Sequence, residues 1–88
     1  MNDSILQKIE ALEALWRDKV RDAYERLIAA RARGKNAVER FRAGVMEDSH
    51  DMVEMRNVAQ EEHVAGQEFR RVLQTFSDLV VRGKIPDE

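Results

Sequence analysis

The chain has 88 residues, no cysteine, 43% apolar and 36% charged residues, and a formal net charge of −2. That length allows one domain at most, the absence of thiols excludes disulfides, thiolate metal sites and cysteine nucleophiles, and the near-neutral balance exerts no overall pull toward nucleic acid or anionic membrane. One proline and four glycines among so many charges fit a long-helix composition and not a disordered one.

The first sixteen residues carry Asp3, Glu10 and Glu13 among their apolar positions, without the basic leader and unbroken apolar core of a secretory signal. No window approaches the roughly 18 to 20 apolar residues of a membrane span. The expectation is a cytoplasmic protein with no membrane partner.

Ser4, with Gln7 three residues later, forms a capping box and predicts a helix starting near residue 4. Ile5, Ile9, Leu12, Trp16, Val20, Ala23, Leu27 and Ala30 then recur at spacings of three and four, the mark of one buried stripe. Leu6, Leu15, Tyr24 and Ile28 flank it, a width that suits a bundle better than a two-stranded coil. The steps from Leu12 to Trp16 to Val20 read as a small stutter in the supercoil.

Two breaks are possible after that. Gly34 offers a C-terminal cap, with Asn36 and Glu39 as a fresh capping box. Against this, the periodicity runs on through Val38 or Ala37 to Phe41, and a glycine inside a helix costs only about 1 kcal/mol relative to alanine. Gly44, followed by the polar cluster Glu47, Asp48 and Ser49, is the preferred break. The reading adopted is a helix over about 4–43, a turn over about 44–48, a helix over about 49–82 and a frayed tail over 83–88.

The second helix shows two stripes, Met52, Met55, Ala59, Gly66, Phe69, Leu73, Phe76 and Val80 on one and Val58, Ala65, Val72 and Leu79 on the other. Two adjoining stripes imply two sets of neighbours. Gly83 ends this helix and Pro86 bars its resumption.

The distribution of charge orders these pieces. Residues 17–42 hold nine basic and four acidic side chains, whereas residues 43–68 hold seven acidic and one basic, Arg56. Folding back near Gly44 sets the basic end of one helix beside the acidic start of the other and suits both helix dipoles. The fold class predicted is all-α, a long antiparallel two-helix hairpin. A lone hairpin has no third layer, so self-association into a four-helix bundle is expected, a homodimer first, with higher helical oligomers also open. Trp16, Leu12, Leu27, Met55, Phe69, Leu73 and Phe76 are the candidate interface residues, and Trp16 and Phe76 fall at the same end of the rod.

Three constellations bear on chemistry. Glu47 and His50 have the spacing of a bundle metal half-site, with Glu54 a turn further on; acidic first-turn residues stabilising a helix start are the plainer explanation. Gln60, Glu61, Glu62 and His63 are similar to the metal-binding stretch of ferritin-like helical hairpins, including the encapsulated ones. The resemblance covers these few residues, and Gln60 stands where that family's pattern has glutamate. It implies a metal-storing or metal-sensing bundle with Glu62 and His63 as ligands; a register-setting role for Glu62 is the commoner alternative. Arg26, Arg31, Arg33, Lys35, Arg40 and Arg42 form a basic strip over about 24 Å of helix, long enough for several phosphates or an acidic partner. Pairing with the acidic arm accounts for the same residues, and nucleic acid is the lesser reading.

Ser4, Ser49, Ser77 and the two histidines belong to no nucleophile motif, and no glycine-rich phosphate loop is present. Neither an enzyme nor a cofactor is expected. The function expected is that of a self-associating interaction module, an adaptor, chaperone or inhibitor of an unidentified protein partner, presenting an apolar helix face.

Overall fold

A computed structural model describes residues 3–44 and 49–86, with the side chains of 49–51 outside the description. Two helices, α1 (Asp3–Arg42) and α2 (Ser49–Arg82), lie against each other as an all-α hairpin, a rod of 67 × 17 × 16 Å. Glu47 and the rest of segment 45–48 lie outside the described residues, as does the His50 side chain, so the Glu47–His50 pair does too.

α1 begins at Asp3, an acidic residue in the first turn, and ends with Arg40 and Arg42 in its last turn, charges that suit the two poles of the helix dipole. Ser4 and Gln7 lie in the first two turns of the described helix. The helix passes through Gly34 without a break, because the buried row continues beyond it to Ala37 and outweighs the small helical cost of one glycine. It stops at Gly44, whose φ of 72° only glycine adopts without strain. The Gly44 amide donates to the Phe41 carbonyl at 3.1 Å and the Ala43 amide to Glu39 at 2.9 Å, satisfying carbonyls that the helix end leaves open.

α2 ends in the same way at Gly83, with φ of 66°. The Gly83 amide donates to the Leu79 carbonyl and the Lys84 amide to that of Asp78, both at 3.1 Å. These two bonds cap the helix end, and Ile85 and Pro86 line a pocket beside Trp16.

The seam has a strict repeat of seven. Trp16, Ala23, Ala30 and Ala37 form the deep row of α1, with Leu27 beside it, and Val72 and Leu79 are the buried members of the facing row of α2, which continues through half-buried Val58 and Ala65. The row of α1 contains no stutter, since Leu12 stands beside it and not in it. Trp16, Ala23, Val72 and Leu79 form the core cluster, with Leu12, Val20, Phe69 and Phe76 packed around it. Trp16 and Phe76 accordingly share one end of the rod. Of the seven buried apolar residues described, three are alanines, which bury little area each, so the core of one hairpin is thin.

The two stripes of α2 face different ways. Leu73, a candidate interface residue, is 42% exposed in the single hairpin, and Met52 and Val80 of the same stripe are each 49% exposed. The reason is rotational: Leu73 follows Val72 by one residue, about 100° around the helix, and Val72 takes the inward position.

Candidate functional site

The two flanks of the seam are chemically different. On one flank, Lys19, Arg26, Arg33 and Arg40 recur every seven residues along α1, and Glu54, Glu61 and Glu68 do the same along α2. Because the helices are antiparallel, the two rows meet in order. Arg33 Nε donates to Glu61 Oε2 at 3.0 Å, and Arg40 Nη1 lies 3.7 Å from Glu54 Oε1. The Glu68 carboxyl is held below the usual glutamate range, first by the hydrogen bonds from Arg71 and then by the positive fields of Arg71, Arg26 and Lys19, with partial desolvation opposing them. The alanines at 23, 30 and 37 lie on this side of the seam, and their small size lets the helices come close enough for the rows to pair.

Trp16 finishes the same flank. It is 2% exposed, with Lys19 Nζ 4.3 Å from its ring centroid in a cation–π arrangement. A groove of about 570 Å³ lined by Ala29, Val64 and Ala65 remains here, and Arg26, Arg33, Glu61 and Glu68 at its edges balance one another.

The other flank is open. Tyr24, Ile28 and Val38 of α1 and Met52, Leu73 and Val80 of α2 are all exposed on it. Ala59 keeps its middle low, and the tilted ring pair of Tyr24 and Phe69, 5.5 Å between centroids, forms part of its wall. Toward the turn it becomes a groove of about 490 Å³ between Arg31, Lys35, Val38 and Arg42 on α1 and Met55, Ala59 and Glu62 on α2. Its rims carry Arg17, Arg31, Lys35 and Arg42 on α1 and Arg56 and Arg70 on α2, with Glu39 and Glu62 as the carboxylates lining the groove. Among the described residues, no carboxylate stands within ion-pair distance of Arg31, Lys35, Arg42, Arg56 or Arg70.

The residues singled out from the sequence are distributed over these surfaces. Trp16 and Leu27 are interior to a single hairpin and have no free face for a second chain. Leu12, Met55, Phe69 and Phe76 are half-buried at the edges of the seam, and Leu73 is open to solvent. The basic strip splits in two. Arg33 and Arg40 are engaged with glutamates and Arg26 lies near Glu68, while Arg31, Lys35 and Arg42 belong to the open flank. Glu62 is exposed, its carboxylate reaching across the seam to Gly34, and His63 is exposed on the next position round. Among the described residues, no three histidine or carboxylate side chains gather closely enough to hold a metal ion. No buried polar or charged side chain occurs among them either.

The pairing of Arg26, Arg33 and Arg40 with Glu54, Glu61 and Glu68 was visible as two seven-residue repeats of opposite sign. Counting charge over whole arms conceals it. No protein-family model matches the chain, and neither the curated proteins nor the solved structures contain a match to it.

Proposed function

We propose that this protein is a non-enzymatic interaction module, a helical hairpin that binds another helical surface through its open flank and acts as an adaptor, chaperone or regulator of what it binds. One observation carries the reading: the flank with matched charges is bridged by the chain's own ion pairs, whereas the larger row of uncovered apolar side chains, Tyr24, Ile28, Val38, Met52, Leu73 and Val80, lies on the other. Exposed apolar area of this kind, bordered by polar residues, marks association sites. The thin alanine-rich core adds to the argument, since covering Leu73, Val80 and Met52 supplies burial that one hairpin lacks.

Light scattering coupled to size exclusion, combined with titration against helical partners, tests this. Leu73→Glu is expected to abolish association while leaving helical content and the cooperative melt intact. A protein that stays at 10.2 kDa at every concentration and binds no helical partner rules the reading out.

A further inference from the structure

We propose that the open flank is a docking trough for an amphipathic helix of a partner protein whose own flanking positions are acidic. The inference rests on the interaction-module reading and identifies what the flank accepts.

Shape comes first. The trough runs along the rod between two helices, and its floor is low at Ala59; at Gly66, itself buried, the Arg70 guanidinium lies over the floor, Nη1 3.5 Å from where a side-chain carbon would stand. Exposed apolar groups stand along both sides, Tyr24 and Val38 on α1, Leu73 and Val80 on α2. A third helix laid between two others fills such a channel with a row of side chains, as in any helical bundle.

Charge then selects the occupant. In the rows that border the trough, α1 carries cations from Arg17 to Arg42, and α2 carries Arg56 and Arg70, with His63 midway between them. Among the described residues the carboxylates against them are Asp3 and Glu10 in the first turns of α1 and Glu39 and Glu62 in the groove near the turn, fewer than the cations they face. Arg56, His63 and Arg70 repeat every seven residues, about 10.5 Å along the helix axis, the spacing at which an apposed helix presents its own flanking positions. Glutamates or aspartates there meet a cation on either bank.

The same arithmetic disfavours a second copy. A two-fold axis along the rod would place the cationic α1 bank over the cationic α2 bank of the other copy, and like charges brought together at an interface oppose association. One across the rod would run α1 antiparallel over α1, so that Asp3 and Glu10 meet the cations of its last turns while Arg17 and Arg31 oppose each other. A flat anionic bilayer does not follow a concave floor, and the apolar sides with Met52, Leu73 and Val80 offer nothing to a phosphate backbone.

Fluorescence anisotropy with the full chain decides between these. The probes are two labelled 28-residue amphipathic helical peptides with the same leucine seam, one flanked by glutamate and one by lysine. A single-stranded DNA oligonucleotide and vesicles of mixed neutral and anionic phospholipid are run beside them. The glutamate-flanked peptide is expected to bind at least about tenfold more tightly than the lysine-flanked one, with affinity falling as salt rises. The double variant Arg56→Glu, Arg70→Glu, verified as folded by circular dichroism, is expected to lose or reverse that preference. Equal affinity for the two peptides, or tighter binding to DNA or vesicles than to either, overturns the proposal. A dimer of the wild-type chain that Leu73→Glu dissociates also overturns it, yet leaves the interaction-module reading standing. Failure of every probe together with a strictly monomeric chain removes both.

Discussion

Gly34 and Glu62 meet across the seam. A side-chain carbon on Gly34 would stand 2.9 Å from Glu62 Oε1 and 3.8 Å from Val58 Cγ1, so the missing methyl group is the space the carboxylate occupies. Glu62 is exposed, and the atom in the way is the free end of its side chain.

Gly34→Ala is therefore expected to stabilise the hairpin. The carboxylate can swing into solvent at small cost, while replacing a mid-helix glycine by alanine gains about 1 kcal/mol. Thermal melting checks this, with a rise of roughly 4–8 °C per kcal/mol for a domain of this size. A lower melting temperature would show that Glu62 is held in place and sets the register of the two helices.

Gly44 and Gly83 are expected to respond in the opposite direction. Both have positive φ, 72° and 66°, and a side-chain carbon at either would meet no described atom within 4 Å. The cost of alanine at these sites is thus backbone strain alone, about 1–2 kcal/mol each. Comparing the melts of Gly34→Ala and Gly83→Ala separates a packing glycine from a conformational one by sign.

Leu79 and Leu73 make a second contrast. Leu79 is 2% exposed in the core cluster with Trp16, and Leu79→Ala should cost roughly 2–5 kcal/mol in denaturant unfolding. Leu73→Ala, at a site 42% exposed, should cost less than about 1 kcal/mol in the free chain. Its larger effect belongs in the affinity for whatever covers the open flank. Equal losses of stability at the two positions would mean that the inward face of α2 has been misassigned.

Arg33 and Glu61 test the closed flank. Their side chains are 55% and 52% exposed, so a double-mutant cycle should give a coupling of about 0.2–1 kcal/mol that shrinks with added salt. Glu61→Arg alone should destabilise more than Glu61→Ala, because it sets two cations in apposition. The exchange Arg33→Glu, Glu61→Arg should recover part of the loss. No recovery would indicate that the rows do not pair in solution.

Acid should weaken the hairpin partly through Glu68. Its pKa is depressed in the fold, so its contribution is fully present above the unfolded value, ~4.3, and is lost as pH falls through the lower folded value. Melting temperatures of the wild type and of Glu68→Gln should differ at neutral pH and converge in acid, once the carboxyl is protonated in both the folded and the unfolded chain. A difference that persists in acid would assign the effect to packing of the side chain.

Much of this architecture is local and could be read from residues in order. The spacing of Trp16, Ala23 and Leu27 specifies a helix face, Gly83 with Pro86 two residues before the end marks a stop, and the reversal of charge near Gly44 favours folding back. Each depends on neighbours within a few turns or on a sum over one arm. The candidate surface was only partly apparent, because its apolar members were visible as a stripe while the division of the basic strip between two flanks was not.

Periodicity on one helix places side chains in rows, but it leaves open how far that helix is rotated about its axis and slid along its neighbour. Those two choices were settled by the joint fit of the alanine row at 23, 30 and 37 to Val58, Ala65, Val72 and Leu79, together with the alignment of Arg33 with Glu61 and Arg40 with Glu54. A rotation of α2 by one residue would have buried Leu73 and exposed Val72. The tertiary arrangement thereby determined which stripe became core, which cations were neutralised within the chain, and which side of the rod was left apolar and positively charged.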